Sequence, residues 1–349
     1  MNREKNYSIE LVRVIACVMV IGIHTANYYS RAYGTISNGD YIFSIMINGI
    51  CRVSVPLFFM ISGYLLIPEV LLIKKSMKRA WNTFCVLALW SGIYYVWNWL
   101  YCGEGYNFMK LFQSPIKKHL WFLYAILGMY VILPFIQCMM KHMPDLLMRY
   151  FVFLWFGFLT LDYIIALYDM KITYEIPLVG DSCYLGYFIM GYIISHTMKK
   201  TAIPRWLCYT GALICIAVTV VATYCGSNRL GMHNEDYFEY RNVMIAAASC
   251  LIFYDITSVA SAVPAQAGIM RERTSSRFRD GVRWCIQLIS KHSFTIYLCH
   301  VLFLDIMKNM FTPVQVPAWI GIPAGTAVLL AVSLFFAVIW DRIAGFIIK

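Results

Sequence analysis

The chain has 349 residues, 60% of them hydrophobic and only 13% charged, with a mean hydropathy of +0.64 and a formal net charge of +11. This makeup excludes an ordinary soluble domain, and the recurrence of bilayer-length apolar runs indicates an all-α fold, a polytopic transmembrane bundle of about ten helices. The Lys and Arg residues sit in short clusters between apolar runs, as suits loops facing anionic lipid and cytoplasm; no basic, aromatic-interleaved surface is present, so no nucleic-acid partner is expected.

Ten candidate spans lie at about 9–27, 41–66, 80–101, 119–140, 146–168, 184–198, 203–224, 243–263, 287–310 and 317–340. The first is expected to stay as a transmembrane helix rather than a cleaved signal, because it contains Arg13 and is followed by Asn27-Tyr28-Tyr29-Ser30 without a small-residue cleavage pattern. Basic residues cluster after span two (Lys74, Lys75, Lys78, Arg79), span six (Lys199, Lys200) and span eight (Arg271, Arg273, Arg277, Arg279, Arg283). The alternate connections are more acidic, with Asp169, Glu175 and Asp181 after span five and Glu235, Asp236 and Glu239 after span seven; Lys110, Lys117 and Lys118 after span three are the exception. That asymmetry places both termini in the cytoplasm. The basic, Ser-rich connection 264–286 reads as a cytoplasmic loop, and a single membrane domain fills residues 1–349.

Span one, "IELVRVIACVMVIGIHT" at residues 9–25, carries three ionisable side chains, Glu10, Arg13 and His24. On a helix, Glu10, Arg13, Cys17, Val20 and His24 follow one another at steps of three or four and so share a face. The eleven residues from Arg13 to His24 make almost a whole number of turns, an axial separation of about 16 Å. An arginine at mid-membrane costs about 2.5–3.5 kcal/mol on insertion scales, so it needs a polar cavity or a partner, and Glu10 stands one turn away. An Arg–Glu pair snorkelling to the interface, beside a core histidine, would give the same pattern.

Span two, "CRVSVPLFFMISGYLL" at residues 51–66, again sets an arginine, Arg52, in an apolar segment, with Ser54, Pro56 and then Ser62-Gly63-Tyr64. Pro56 is expected to break the backbone ladder at depth, while Ser62 and Gly63 allow close helix approach; such interruptions are tolerated where backbone lines a cavity. Span four opens at His119. Span eight holds Asp255, for which the sequence gives no partner, and span nine holds Tyr297 and His300 one turn apart on one face. Twelve cysteines are scattered singly with no C-x-x-C pair, so they read as small apolar side chains and no metal site or disulfide framework is expected.

The R-x10-H of the first helix, Arg13 to His24, followed by F-F-x-x-S-G-[FY]-L-L as Phe58, Phe59, Ser62, Gly63, Tyr64, Leu65 and Leu66, resembles the acyltransferase family 3 membrane proteins. "HLWFLYAILGMYVILP" (119–134) is similar to that family's W-F-L-x-A/P-L segment, "LGYFIMGYII" (185–194) to its F-x-x-G-Y segment, and "SFTIYLCHVLF" (293–303) to its late S-x-x-[IL]-Y-L-x-H motif. The resemblance thus covers nearly the whole chain. Two positions depart from it. Glu10 stands where many members have Asp, which preserves the charge, and Val55-Pro56-Leu57 stands where they have G-V-[DE], which removes an acid.

The resemblance implies a multi-pass enzyme of the bacterial cell membrane, an O-acyltransferase. It would move an acyl group, commonly acetyl, from cytoplasmic acetyl-CoA or another acyl-CoA to a hydroxyl of a cell-envelope carbohydrate or related acceptor, without a metal. On that reading His24 is the general base, with a transient acyl-histidine as the covalent variant, and Arg13 and Glu10 complete the catalytic set. Arg13, Arg52, Lys78 and Arg79 are candidates for the CoA phosphates, although topology alone accounts for Lys78 and Arg79. Ser62 is a candidate donor to the thioester carbonyl, or simply lets helices pack. His119, Trp121, Tyr124, Tyr297 and His300 are candidates for acceptor binding, with core, interface or capping roles as the competing reading of each. The partners implied are the lipid bilayer, acyl-CoA and the envelope acceptor, and Gly and Ser faces are compatible with a homodimer.

A transporter is the alternative. Membrane domains of the same broad family occur fused to a cytoplasmic pyridoxal-phosphate racemase for serine or alanine in glycopeptide-resistance systems, and the "VSVPLFFMISGYLL" variant is similar to such members. The chain would then be the membrane domain of a longer protein, exporting D-serine or another small cell-wall precursor. A purely structural scaffold would not need Arg13, Arg52 and His24 at depth.

Overall fold

The structure, a computed structural model, describes residues 7–103, 109, 113–168, 183–196, 203–262 and 276–347. Among them are eleven α-helices and no strand: α1 (Tyr7–Ser30), α2 (Asn38–Cys51), α3 (Ser54–Leu66), α4 (Ile73–Leu100), α5 (Trp121–His142), α6 (Asp145–Leu167), α7 (Cys183–His196), α8 (Arg205–Leu230), α9 (Val243–Ala262), α10 (Ser276–Met310) and α11 (Ala318–Ile347). Each of the ten expected spans is occupied by helix. Six stretches, Tyr7–Ser30, Asn38–Leu66, Lys118–His142, Asp145–Ile165, Arg205–Leu230 and Ala318–Ile343, are long and apolar enough to cross a bilayer. The fold is the expected all-α bundle of a multi-pass membrane protein.

The eleventh helix arises because span two is two helices, broken at Arg52 and Val53. Pro56 lies in the first turn of α3, where a missing N–H is tolerated, and the carbonyl four residues earlier that it leaves without a helical partner is that of Arg52. The break therefore falls one turn before the proline. Two other boundaries also move. Lys74, Lys75, Lys78 and Arg79 are the first turns of α4 rather than a connection, and α10 begins at Ser276, so half of the expected loop 264–286 is helix. In both cases charge marks the end of the apolar segment and not the end of the helix, since Lys and Arg are good helix formers. Lys110, Asp169, Glu175, Asp181, Lys199, Lys200, Arg271 and Arg273 lie outside the described residues.

The chain divides into two compact units, one formed by residues 1–63 and 149–349 and the other by 64–148. In the second unit α4 and α5 pack together, burying Leu87, Trp90 and Tyr94 from one and Leu123, Ile126 and Leu133 from the other at helical spacing. Pro134 inside α5 cannot bond back to the Tyr130 carbonyl, and the Ser76 hydroxyl of α4 donates to that oxygen at 2.7 Å instead. Gln137 Nε2 similarly donates to the Leu66 carbonyl at 2.7 Å.

In the first unit α1 is the central helix, packed against α2, α9, α10 and α11. Elsewhere in this unit α3 and α7 cross with their backbones in contact. A methyl group added at Gly63 would lie 1.7 Å from the Phe188 carbonyl oxygen, and one at Gly191 would lie 2.0 Å from that of Met60. The S-G-Y and F-x-x-G-Y motifs thus meet each other, and their glycines are a packing requirement. Ser62 donates to the Phe58 carbonyl within α3 at 2.9 Å. Asp255, which the sequence left without a partner, is clasped by α8: Arg205 Nε donates to its Oδ1 at 3.0 Å and the Tyr209 hydroxyl to its Oδ2 at 2.7 Å.

Gly63→Ala or Gly191→Ala should destabilise the detergent-solubilised protein by about 1–3 kcal/mol or more, because the obstructing atoms are backbone and cannot rotate away. Gly92→Ala, with nothing within 4 Å of the added methyl, should be neutral or slightly stabilising. Thermal unfolding of the three variants followed side by side checks this.

Candidate functional site

The chemistry-bearing helices are α1 and α10, which lie side by side, parallel and in fixed register. Arg13 Nη1 donates to Ser290 Oγ at 3.4 Å, the Cys17 thiol to the Ser293 carbonyl at 3.9 Å, and the His24 ring lies 5.0 Å from that of His300 at an interplanar angle of 52°. The first two contacts join residues 277 and 276 positions apart, and the histidine pair keeps the same offset, as only parallel helices can. Beyond them the Tyr28 hydroxyl donates to the Phe311 carbonyl at 2.7 Å, just past the end of α10. The face of α1 foreseen from spacing is therefore the face that α10 covers.

His300 is fully buried, and its Nδ1 lies 2.7 Å from the carbonyl of Tyr297 and 3.3 Å from that of Ile296. A carbonyl only accepts, so Nδ1 carries the proton and Nε2 is the lone-pair nitrogen of the neutral ring. The backbone of α10 thereby fixes both the tautomer and the tilt of His300, and His300 in turn forms a wall against which His24, itself half-buried, rests. Tyr297 completes this wall, its ring 5.9 Å from that of His300.

At the other end of the pair, half-buried Arg13 bonds to Ser290 while the Glu10 carboxylate acts on it electrostatically from one turn away. Close by on α10, His292 Nδ1 donates to Asp341 Oδ2 at 2.5 Å and the Thr295 hydroxyl to Asp341 Oδ1 at 2.7 Å, which binds α10 to α11. The sequence reading passed over His292. A histidine eight residues before His300, with an acid inside the last apolar run, was the signal available.

Arg52 lies apart from Arg13. Its Nε donates to Asn48 Oδ1 at 3.0 Å, and Asn48 Nδ2 bonds Asn27 Oδ1 on α1, one turn beyond His24. The guanidinium carbon stands 5.2 Å from the centre of the Phe238 ring and 5.8 Å from that of Tyr240, in the connection between α8 and α9. That connection is tied to the residues just past the His24 end of α1 by an Arg31–Glu235 ion pair at 2.8 Å, and the adjoining end of α8 by a Tyr33–Asn228 hydrogen bond at 2.9 Å. Arg52 thus shares the His24 end of the unit, and the two asparagines between them were missed. Asn27 continues the same three-or-four-residue rhythm past His24, and Asn48 stands one turn before Arg52 in an apolar run, so both were legible in principle.

The other candidates lie in the second unit. Lys78 is exposed, and Arg79 is paired with Glu69 at 2.9 Å, as is Lys75 at 2.7 Å. Burial pushes the Glu69 carboxyl up, and the hydrogen bonds from Lys75 and Arg79 outweigh that, holding it below its ordinary range. His119 is buried with its ring edge-on to Tyr94 at 5.1 Å, Trp121 is half-buried, and Tyr124 is exposed.

The helices, the charged groups at depth and the histidine pair define a polytopic membrane protein with an intramembrane polar site. The family model described as "Acyltransferase domain", that of acyltransferase family 3, matches residues 6–338. The chain belongs to this family. No curated protein and no solved structure matches it.

His233 lies in the α8–α9 connection beside Tyr41 and Glu235. The Tyr41 hydroxyl donates to Ser227 Oγ at 2.6 Å, so at its 3.0 Å contact with His233 it accepts from the Nδ1 proton. Burial, with the nearby Arg31 and Arg52 charges, pushes His233 down to about 4 despite Glu235. In the unfolded chain it takes up a proton near pH 6.5, which the folded protein does not do until about 4, so stability falls as pH drops through that window. The unfolding midpoint should drop between pH 6.5 and 4, and His233→Gln should remove part of that slope, worth up to about 3 kcal/mol.

Proposed function

We propose that the chain is an acyl-CoA-dependent O-acyltransferase in which His24 is the general base. The acyl group, acetyl in the simplest case, passes to a hydroxyl of a cell-envelope acceptor across the bacterial membrane, with both termini cytoplasmic. The observation that carries this reading is the pairing of α1 with α10, which stacks Arg13 and His24 on one covered face about 16 Å apart along the axis and fixes the His24 ring against His300.

A CoA molecule entering at the Arg13 end would pair its phosphates with that guanidinium, and its extended pantetheine arm would bring the thioester toward His24. His24 accepts the proton of the acceptor hydroxyl as its oxygen attacks the thioester carbonyl. The tetrahedral adduct then expels the CoA thiolate, which takes the proton from His24. The products are the acyl ester and free CoA, and the imidazole returns to its starting state. His300 is a positioning residue in this scheme, holding the base in orientation from a ring whose own tautomer is set by α10.

Calorimetric titration of the purified protein with acetyl-CoA tests the donor assignment. Arg13→Ala should weaken binding at least about tenfold, as the loss of a charge-assisted contact predicts, whereas His24→Ala should retain it. His24→Gln should lower acetyl transfer in membranes by about 10²–10⁴-fold. Absence of acetyl-CoA binding to the unaltered protein would overturn the reading and move attention to D-serine flux in proteoliposomes. His300→Ala should depress transfer more than it depresses folded yield, and equal loss of both would make His300 a core residue only.

A further inference from the structure

We propose that Arg52 receives an anionic group of the acceptor, so that the molecule acylated is a hydroxyl compound bearing a carboxylate or phosphate. The inference rests on the acyl-transfer reading for the identity of the reaction, but not for the site itself.

Its first support is a charge that has no counter-ion among the described residues. Arg31 pairs with Glu235, Arg79 with Glu69, Arg205 with Asp255, and Arg241 with Asp162 at 3.5 Å, while Arg13 has Glu10 one turn away. Arg52 is half-buried at the break between α2 and α3, and its partners among the described residues are an amide, a phenol and two aromatic faces, with no carboxylate. A guanidinium at membrane depth without a neutralising acid is costly. The protein nonetheless builds a seat for it: Asn48 fixes Nε, and the Phe238 and Tyr240 rings flank the cation. Of five N–H groups, Asn48 engages the one on Nε, and the planar fork suits a carboxylate or phosphate at the remainder.

Its second support is location. Phe238 and Tyr240 come from the connection tied to the far end of α1, opposite Arg13, so an anion on Arg52 sits at the end away from the proposed donor phosphates. Nor does Arg52 suit the oxyanion of the tetrahedral adduct. A donor to that oxygen must stand about 2.7–3.1 Å from it, beside His24, whereas the bonded Asn27 and Asn48 side chains intervene between His24 and Arg52. Both groups lie at the same end of α1, so one acceptor would place its reacting hydroxyl at His24 and its anion at Arg52.

The test titrates the detergent-solubilised protein with N-acetylglucosamine 1-phosphate, glucuronate and neutral N-acetylglucosamine, and separately with acetyl-CoA, in the unaltered protein and in Arg52→Gln and Arg52→Lys. At least one anionic probe should bind more tightly than the neutral sugar, and Arg52→Gln should weaken it about ten- to hundredfold while leaving acetyl-CoA affinity within about twofold. Retained acetyl-CoA binding shows that the variant is folded; should Arg52→Gln fail to fold, Arg52→Lys, which keeps the charge but not the fork, should show a smaller loss of the same probe. Which of the two anionic probes responds tells phosphate from carboxylate. The proposal is overturned if neither anion binds better than the neutral sugar, or if Arg52→Gln weakens acetyl-CoA instead, which would return Arg52 to the donor. If acetyl-CoA fails to bind the unaltered protein while an anionic probe binds and is lost in Arg52→Gln, the donor assignment fails and the anion site stands.

Discussion

Everything polar in this protein is governed by one constraint: at membrane depth no water is on hand to satisfy a hydrogen-bonding group, so the protein must do it. The α1–α10 contact is where that constraint is met most densely. Because the two helices run parallel at a constant offset, three polar residues of α1 meet α10 at their own depth, Arg13 at Ser290, Cys17 at the Ser293 carbonyl, His24 at His300. A shift of α10 by one residue would rotate its side chains by about 100° and dissolve all three pairings together. Beyond the histidine end the Tyr28 bond past the end of α10 holds the same register, and within the paired stretch His292 and Thr295 clasp Asp341 of α11.

The same constraint explains the irregular places. Each proline in a span releases a carbonyl, and the structure disposes of them differently. The carbonyl freed by Pro134 is taken by Ser76, and the α5 helix continues unbroken. The one freed by Pro56 belongs to Arg52, and there the helix opens into two. Arg52 caps α2 at that point, and a methyl added at Gly22, two residues before His24, would already stand 2.8 Å from Cys51 Sγ beside it. The break and the close approach together bring an arginine of one span to the neighbourhood of the histidine end of another.

The sequence carried the helical type and the place of the ten apolar spans, though not the division of span two into two helices, because a run of about twenty apolar residues admits few readings in a chain of this composition. It also carried the shared face of Glu10, Arg13 and His24, since helical spacing fixes which side chains stand together whatever surrounds them. It did not carry what covers that face. Nothing in the residues near His24 points to His300, 276 positions away, and the pairing becomes visible only when the helices are placed. The close helix approach expected at Gly63 is present, and Gly191 shares in the same backbone crossing, while Ser62 bonds within its own helix. Asn27, Asn48 and Asp341 stand in no motif yet hold the charged groups in place.

The two deep arginines differ in a way that bears on how a two-substrate site could operate. Arg13 has a carboxylate one turn away that acts on it electrostatically, so a phosphate arriving there would meet a charge already partly offset, with a smaller net gain. Under the proposed reaction that smaller gain would suit a donor whose spent CoA leaves by the same route. Arg52 has no such acid among the described residues, and its amide and aromatic neighbours position the charge without cancelling it. A ligand there gains the full interaction, which favours selectivity for a scarce molecule over rapid release. In the proposed reaction these requirements fall on different substrates, donor turnover at one end of α1 and acceptor choice at the other, and His24 lies between them on the same helix.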